Sequence, residues 1–260
     1  MDPALVYIAI GLSLTLALAW LIQQMSKSSG LVDTLWTVAV GFGGVAAALL
    51  PGSGDLARRI AVGVTVAVWA LRLGSHIARR NARVADDPRY AKLTRDWGAA
   101  APAFMFIFLQ VQAFAAFVLV LAVRLAATNP APFPDVQGVA GIAILILAIT
   151  GEAVADAQLS RFGHAHKGEV CDVGLWNWSR HPNYFFEWLG WVGWAVIAVN
   201  PGHPWSLLAV GAPALMYYLL VYASGIPPLE QHMLATRGDR FRAYQARTSA
   251  FFPLPPKGPA

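Results

Sequence analysis

Seven apolar segments, each close to the length that crosses a bilayer, dominate the sequence of this chain. Hydrophobic residues make up 57% of its 260 residues and charged residues 13%, whereas soluble domains carry about 25% charged residues. Such segments predict membrane-spanning helices, because a helix satisfies its own backbone hydrogen bonds in lipid. We therefore predict an all-α polytopic membrane protein, a seven-helix bundle forming a single integral membrane domain over residues 1–260. The predicted helices are residues 4–24, 31–50, 58–78, 101–125, 138–158, 183–199 and 204–225, followed by an interfacial tail at 226–260.

The loops between these segments alternate in positive charge. Residues 128–135 and 200–204 contain neither Lys nor Arg. The third loop is strongly basic, with Arg79, Arg80, Arg83, Arg89, Lys92 and Arg95. By the positive-inside rule, this loop and the C-terminus are predicted to be cytoplasmic and the N-terminus to be outside. No Lys or Arg precedes the first segment, so we expect a retained helix rather than a signal peptide.

A polar stretch, Ser179–Glu187, leads directly into the sixth apolar segment. The residue before a proline is biased away from helix, so His181 is predicted to lie in the loop and Pro182 to begin the helix. Asn183 and Glu187 are then one turn apart on a shared face. A glutamate inside an apolar helix is unfavourable unless it faces a partner or a cavity. The alternative, a basic residue that anchors the helix at the interface, explains Arg180 but leaves Asn183 and Glu187 unexplained.

Two carboxylates, Glu152 and Asp156, share one face of the fifth segment. Because like charges at this spacing repel, they must face water, a cation, a hydroxyl-rich ligand or arginines. Salt bridges to Arg161 or to the third loop are the structural alternative. Carboxylates also accept hydrogen bonds from ribose hydroxyls and amide N–H groups.

Two further polar side chains lie near the inner ends of the second and third segments. Asp33 suits either a helix cap or a buried site. Arg72 follows Trp69 inside the third segment, where it either snorkels to the interface or meets a buried partner such as Asp33.

Three groups together predict one cofactor cavity on the cytoplasmic side: the pair Glu152 and Asp156, the stretch Arg180–Glu187, and the C-terminal tail. Carboxylates, an amide and arginines suit a large cofactor that bears phosphates and hydroxyls. No G-x-G-x-x-G motif follows a predicted strand, and there is no P-loop. We expect no metal site, because His164 and His166 lack a third ligand and Cys171 is the single cysteine. The net charge of +5 favours membrane lipids or an anionic cofactor as partners over nucleic acid.

The stretch Gly174–Glu187, which reads GLWNWSRHPNYFFE, is similar to the hallmark of the bacterial DUF1295 membrane proteins of the steroid 5-alpha-reductase family. Further matching runs are Leu31–Trp36, Leu71–Gly74, Asp87–Tyr90 and Tyr244–Pro253. The resemblance covers nearly the whole chain. It implies a seven-helix bundle in the bacterial inner membrane, with NADPH held near the cytoplasm and a steroid-like substrate entering from the bilayer.

The resemblance also implies roles for individual residues. Asn183 and Glu187 match the family's Asn-x-x-x-Glu motif, which holds the dinucleotide. His232, Tyr244 and Arg247 fall where the family closes over the cofactor. The complete implied cofactor-binding set is Glu152, Asp156, Arg161, Arg180, His181, Asn183, Tyr184, Glu187, His232, Tyr244 and Arg247.

The implied catalytic residues are Asp33, Trp69 and Arg72. Asp33 falls where the steroid reductases place a glutamate that hydrogen-bonds the 3-keto group, and Trp69 falls about where they place its tyrosine partner. The implied reaction is NADPH-dependent reduction of the 4,5 double bond of a 3-oxo-4-ene steroid or similar lipophilic enone, by hydride transfer to the beta carbon. A hydrogen-bond donor at the ketone oxygen would stabilise the enolate.

A membrane methyltransferase of the isoprenylcysteine or phospholipid type is the alternative. The Arg180-His181-Pro182-x-Tyr184 pattern and a glutamate in the tail also resemble those enzymes, which bind S-adenosylmethionine. They usually carry a second glutamate beside the position of Glu230, where this chain has Gln231.

Overall fold

In a computed structural model, the described residues (3–26, 29, 31–81 and 88–258) form helices joined by short loops, with no β-strand among them. Arg83 and Asp87 of the sequence analysis lie outside this described part. Three 3₁₀ turns, at Gly98–Ala100, Gly174–Asn177 and Pro204–Val210, and one π turn, at Leu219–Ala223, complete the regular structure described. The α-helices are α1 (Pro3–Ser26), α2 (Val32–Leu49), α3 (Leu56–Asn81), α4 (Pro88–Trp97), α5 (Ala101–Ala127), α6 (Val136–Ala165), α7 (Pro182–Ala198), α8 (Gly211–Tyr218), α9 (Ile226–Arg237) and α10 (Asp239–Arg247).

Six helical stretches in the described residues are long and apolar enough to cross a membrane. They are Pro3–Ser26, Val32–Leu49, Leu56–Arg79, Tyr90–Ala127, Val136–Ala165 and Pro204–Arg237. The predicted sixth segment forms α7, which begins at Pro182 as expected but has only 17 residues and is shorter than any of the six. The all-helical class is confirmed, whereas the count of seven spans and the orientation stay predictions. The sequence analysis did not predict α4.

The chain divides into two compact units, and all three boundaries between them fall inside helices. The first unit runs to Ile142 and includes Trp194–Ala212. The second unit contains Ala143–Gly193 and everything from Pro213 onward.

Small residues bring α2 and α3 together in the first unit. A methyl group added at Gly41 would lie 2.3 Å from the Cβ atom of Ala70, and one added at Gly44 would lie 2.8 Å from Val66. Lipid acyl chains are as apolar as a neighbouring helix, so the hydrophobic effect does not drive helices together in a membrane. Helices there associate through close van der Waals contact, which small residues allow.

Polar side chains at one end of the first unit satisfy the carbonyls of helix ends. Arg124 is buried and donates to the carbonyl oxygens of Ala47 at 2.9 Å, in the last turn of α2, and of Leu50 at 2.8 Å, just after it. Asn129 donates to the carbonyl of Ile197 at 2.8 Å, near the end of α7. Terminal carbonyls have no partner within their own helix, so these contacts give Arg124 and Asn129 a structural role.

Helices α6 and α7 approach closely in the second unit. A Cβ atom at Gly151 would lie 2.4 Å from the ring of Phe186, so only glycine fits there without rearrangement.

The C-terminal segment then returns to the loop before α7. The Arg180 amide donates to the Ser249 carbonyl at 2.8 Å, and the Leu254 amide donates to the Trp178 carbonyl at 3.0 Å.

Candidate functional site

The polar residues predicted on the fifth and sixth segments lie on α6 and α7 of the second unit. Glu152 and Glu187 are buried, and Asp156 and Asn183 are half-buried. The Asn183 side-chain amide donates to Asp156 Oδ1 at 3.3 Å, and Glu187 Oε1 accepts from Trp191 Nε1 at 2.9 Å. The structure therefore brings Asp156 and Asn183 into direct contact across the two helices.

The side-chain oxygen of Asn183 distinguishes this cluster from one in which every polar atom is paired. Asn183 Oδ1 is buried and has no hydrogen-bond partner among the described residues. Buried polar atoms are nearly always paired, because a lost hydrogen bond to water costs about 1–3 kcal/mol when nothing replaces it. This oxygen can accept a hydrogen bond from an N–H or O–H group of a bound ligand.

Arg180 and His181 have a different environment from the one predicted. Both contact Glu230 of α9, and with Gln245 they form a cluster that we call the tail clamp. Arg180 Nε and Nη2 donate to the two carboxylate oxygens of Glu230 at 2.7 and 3.2 Å. His181 Nε2 lies 2.9 Å from Glu230 Oε1, and the Gln245 amide donates to Glu230 Oε2 at 2.6 Å.

The remaining donors of Arg180 are also engaged. Its Nη1 donates to the carbonyl of Thr248 at 2.5 Å and to that of Gln245 at 3.3 Å. With every guanidinium nitrogen bonded, Arg180 is not available to a cofactor phosphate in this structure. Sequence reasoning did not identify Glu230 as the partner, because the two residues are 50 positions apart and no local pattern joins them.

Two side chains near the tail clamp are held in single protonation states. Burial lowers the pKa of His181, against the opposing effect of the Glu230 carboxylate. Its ring is therefore neutral at neutral pH, and it stacks on Tyr184 with 5.5 Å between ring centroids. Burial raises the pKa of Tyr244, whose hydroxyl donates to the carbonyls of Trp176 and Ser179.

A hollow of about 730 Å³ lies on the surface of the second unit beside α10. Tyr244 and Arg247, two of the predicted tail residues, line it together with Phe162, His166 and Arg240. Arg247 forms an ion pair with Asp172, which also lines the hollow.

Two other predicted cofactor residues are not brought to the α6–α7 cluster. Arg161 is exposed and lies nine residues after Glu152, which is two and a half turns and therefore the opposite face of α6. His232 is exposed on α9.

The predicted catalytic residues lie in the first unit, where Asp33 has an unpredicted partner. The hydroxyl of Tyr90, on α4, donates to Asp33 Oδ1 at 2.7 Å, and the Gln112 amide donates to the Tyr90 oxygen at 3.3 Å. Trp69 is buried and packs edge-on against Trp194, with 5.9 Å between ring centroids. Arg72 is half-buried on α3. In the sequence, Tyr90 was indicated by its position in the run Asp87–Tyr90, which resembles the family's pattern.

The apolar helices and buried polar cluster define a multi-pass membrane protein. The chain belongs to the DUF1295 family, described as "Protein of unknown function (DUF1295)", which matches residues 19–248. This confirms the DUF1295 membership that the sequence analysis named, whereas the relationship to the steroid 5-alpha-reductases stays a prediction. Comparison with curated proteins and with solved structures gave no match.

Proposed function

We propose that this protein is an NADPH-dependent reductase of a lipophilic enone, such as a 3-oxo-4-ene steroid. The observation that carries the proposal is the buried cluster of Glu152, Asp156, Asn183 and Glu187, with its unsatisfied acceptor at Asn183. Stability does not explain the Asn183 acceptor, because a buried polar atom weakens the fold unless it is paired. We further propose that α7 is the seventh span and that the cluster faces the cytoplasm in a bacterial inner membrane.

The cluster suits the sugar and amide groups of a dinucleotide. Asn183 Oδ1 and the nearby carboxylates are acceptors, and ribose hydroxyls and a carboxamide NH₂ are donors. Phe162, in the last turn of α6, lines the hollow and lies ten residues beyond Glu152, about 15 Å along the helix axis. A dinucleotide extended along α6 would therefore place its phosphates by the hollow, where Arg240 and Arg247 are the arginines on the wall.

The bound cofactor would supply the hydride. The chain's own contribution is a donor for the ketone oxygen, where negative charge develops. The Tyr90 hydroxyl holds one proton, which it donates to Asp33 in the structure. It can donate to a ketone oxygen instead, while Gln112 continues to donate to the Tyr90 oxygen. Trp69 and Arg72 stay as predicted further donors.

The first test is the identity of the cofactor. Protein purified in mild detergent is denatured, and the released small molecules are identified by mass spectrometry. We expect NADP(H) from the wild type and from Asp96→Asn, which changes an exposed carboxylate of α4 in the first unit. Asn183→Leu and Glu187→Gln should lose it. Release of S-adenosylmethionine would favour the methyltransferase instead, and failure to bind added NADPH would refute the proposal.

The second test is turnover of progesterone with NADPH, followed as the mass of the product saturated at the 4,5 bond. Tyr90→Phe should lower kcat by a factor on the order of 100 or more, which is typical of removing an oxyanion donor. Tyr7→Phe is the matched control, because Tyr7 is exposed on α1. Equal loss in both variants would argue against a role for the Tyr90 hydroxyl.

A further inference from the structure

A second hollow, in the first unit, lies where α1 ends and α5 begins. Its volume is about 520 Å³, within the range of small-molecule sites. Gln23 and Gln24 from the last turn of α1 line it, as do Ala101 and Pro102 from the first turn of α5. Both helices are membrane-span candidates, so we expect the ends that line the hollow to lie at the depth of lipid head groups.

The wall of this hollow has the chemistry of an oxyanion site. Arg95 is the one charged side chain among the described residues that line it, and no described carboxylate does so. The other polar side chains on the wall carry amides and hydroxyls, from Gln23, Gln24, Ser29, Tyr90 and Thr94. Arginine, amide and hydroxyl donors together match phosphate or carboxylate oxygens.

The surface next to the hollow suits acyl chains. Leu18, Leu21 and Met25 of α1 are exposed, and so are Phe104 and Ile107 of α5. Trp20 donates from Nε1 to the carbonyl of Pro102 at 2.9 Å. Its indole thus lies at this helix end, where tryptophan is typical of the membrane interface.

We propose that this hollow binds the phosphate of an anionic phospholipid, with Arg95 as its cationic contact and the acyl chains along α1 and α5. The predicted orientation puts it in the inner leaflet, where anionic lipids and basic residues attract each other. Tyr90 lines the same hollow, so the bound lipid lies beside the Asp33–Tyr90 pair. The proposal does not depend on the proposed function.

Native mass spectrometry in a neutral detergent tests this site. Purified protein is titrated with phosphatidylglycerol or with phosphatidylcholine of the same chains. We expect the first phosphatidylglycerol to bind about five- to tenfold more tightly, which is the effect of roughly one interfacial cation. Arg95→Gln should reduce this preference nearly to parity. Lys92→Gln is the matched control, because Lys92 is on the same helix but pairs with Asp96 at 2.5 Å and does not line the hollow.

Three results would overturn the proposal. Equal binding of the two lipids by the wild type would exclude a selective site. Equal loss of preference in Arg95→Gln and Lys92→Gln would indicate a general effect of net charge. Displacement of phosphatidylglycerol by millimolar inorganic phosphate would assign the hollow to a soluble anion rather than to a lipid.

Discussion

Replacing Glu230 by glutamine should release the C-terminal segment from the loop before α7. The substitution keeps the shape of the side chain but removes the charge that holds Arg180 and His181 in the tail clamp. The Arg180 and Glu230 side chains are only 11% and 13% exposed. Glutamine therefore leaves a guanidinium mostly buried without its carboxylate.

The expected size of the effect follows from this burial. Removing one partner of a buried ion pair costs about 3–5 kcal/mol. We expect about 3 kcal/mol, because both groups keep some access to water and the amide oxygen of glutamine still accepts one hydrogen bond. Since about 1.4 kcal/mol is a factor of ten, the population with an undocked segment should rise roughly 100-fold.

Hydrogen exchange read by mass spectrometry measures this population directly. The reporter is the peptide around residues 249–254, where the Leu254 amide is bonded to the Trp178 carbonyl. Its protection should fall by about two orders of magnitude in Glu230→Gln, while peptides from α2 stay unchanged. Glu169→Gln, an exposed carboxylate variant, should exchange like the wild type.

A double variant separates loss of the charge from loss of contacts. Arg180→Met combined with Glu230→Leu leaves no unpaired charge, and apolar replacement of a buried pair is often tolerated. Protection should recover in part, although the bonds from Arg180 to the Thr248 and Gln245 carbonyls are lost. Wild-type exchange in Glu230→Gln alone would show that the ion pair does not hold the segment, and the reasoning would be wrong.

Two further predictions concern the second unit. Because burial lowers the pKa of His181, the unfolded chain binds a proton at this histidine at a higher pH than the folded chain does. Protection of residues 249–254 from exchange should therefore be full above about pH 6.5 and fall as the pH drops from there towards the lowered pKa. His181→Phe should remove this dependence on pH. Gly151→Ala should weaken retention of the proposed dinucleotide and lower the thermal midpoint, because the new methyl group collides with Phe186. Gly163→Ala has no atom within 4 Å of the new Cβ, so it should be neutral or stabilising by up to about 1 kcal/mol. Equal destabilisation by both substitutions would refute the packing argument.

Local patterns predicted the helices better than they predicted the partners. The fourth apolar segment, 101–125, became α5 at Ala101–Ala127, and the rule for residues before proline placed the start of α7 at Pro182. The extent of α5 and the start of α7 each depend on the length and composition of a single segment. The pairs Asp33–Tyr90 and Arg180–Glu230 join positions 57 and 50 residues apart. Their geometry depends on how helices pack, which apolar periodicity does not encode.

Polar residues inside apolar helices and next to their ends look alike in the sequence, and the hydrogen bonds that they form distinguish them. Arg124 donates to carbonyls at the end of α2, and Arg180 is bonded throughout to the C-terminal segment. Both are explained by the fold, although Arg180 was predicted to bind a cofactor. Asn183 has one half of its amide on Asp156 and a buried oxygen with no partner in the part of the chain described. Because the fold leaves that acceptor unsatisfied, Asn183 is the position where a ligand would add a bond that the chain does not make for itself.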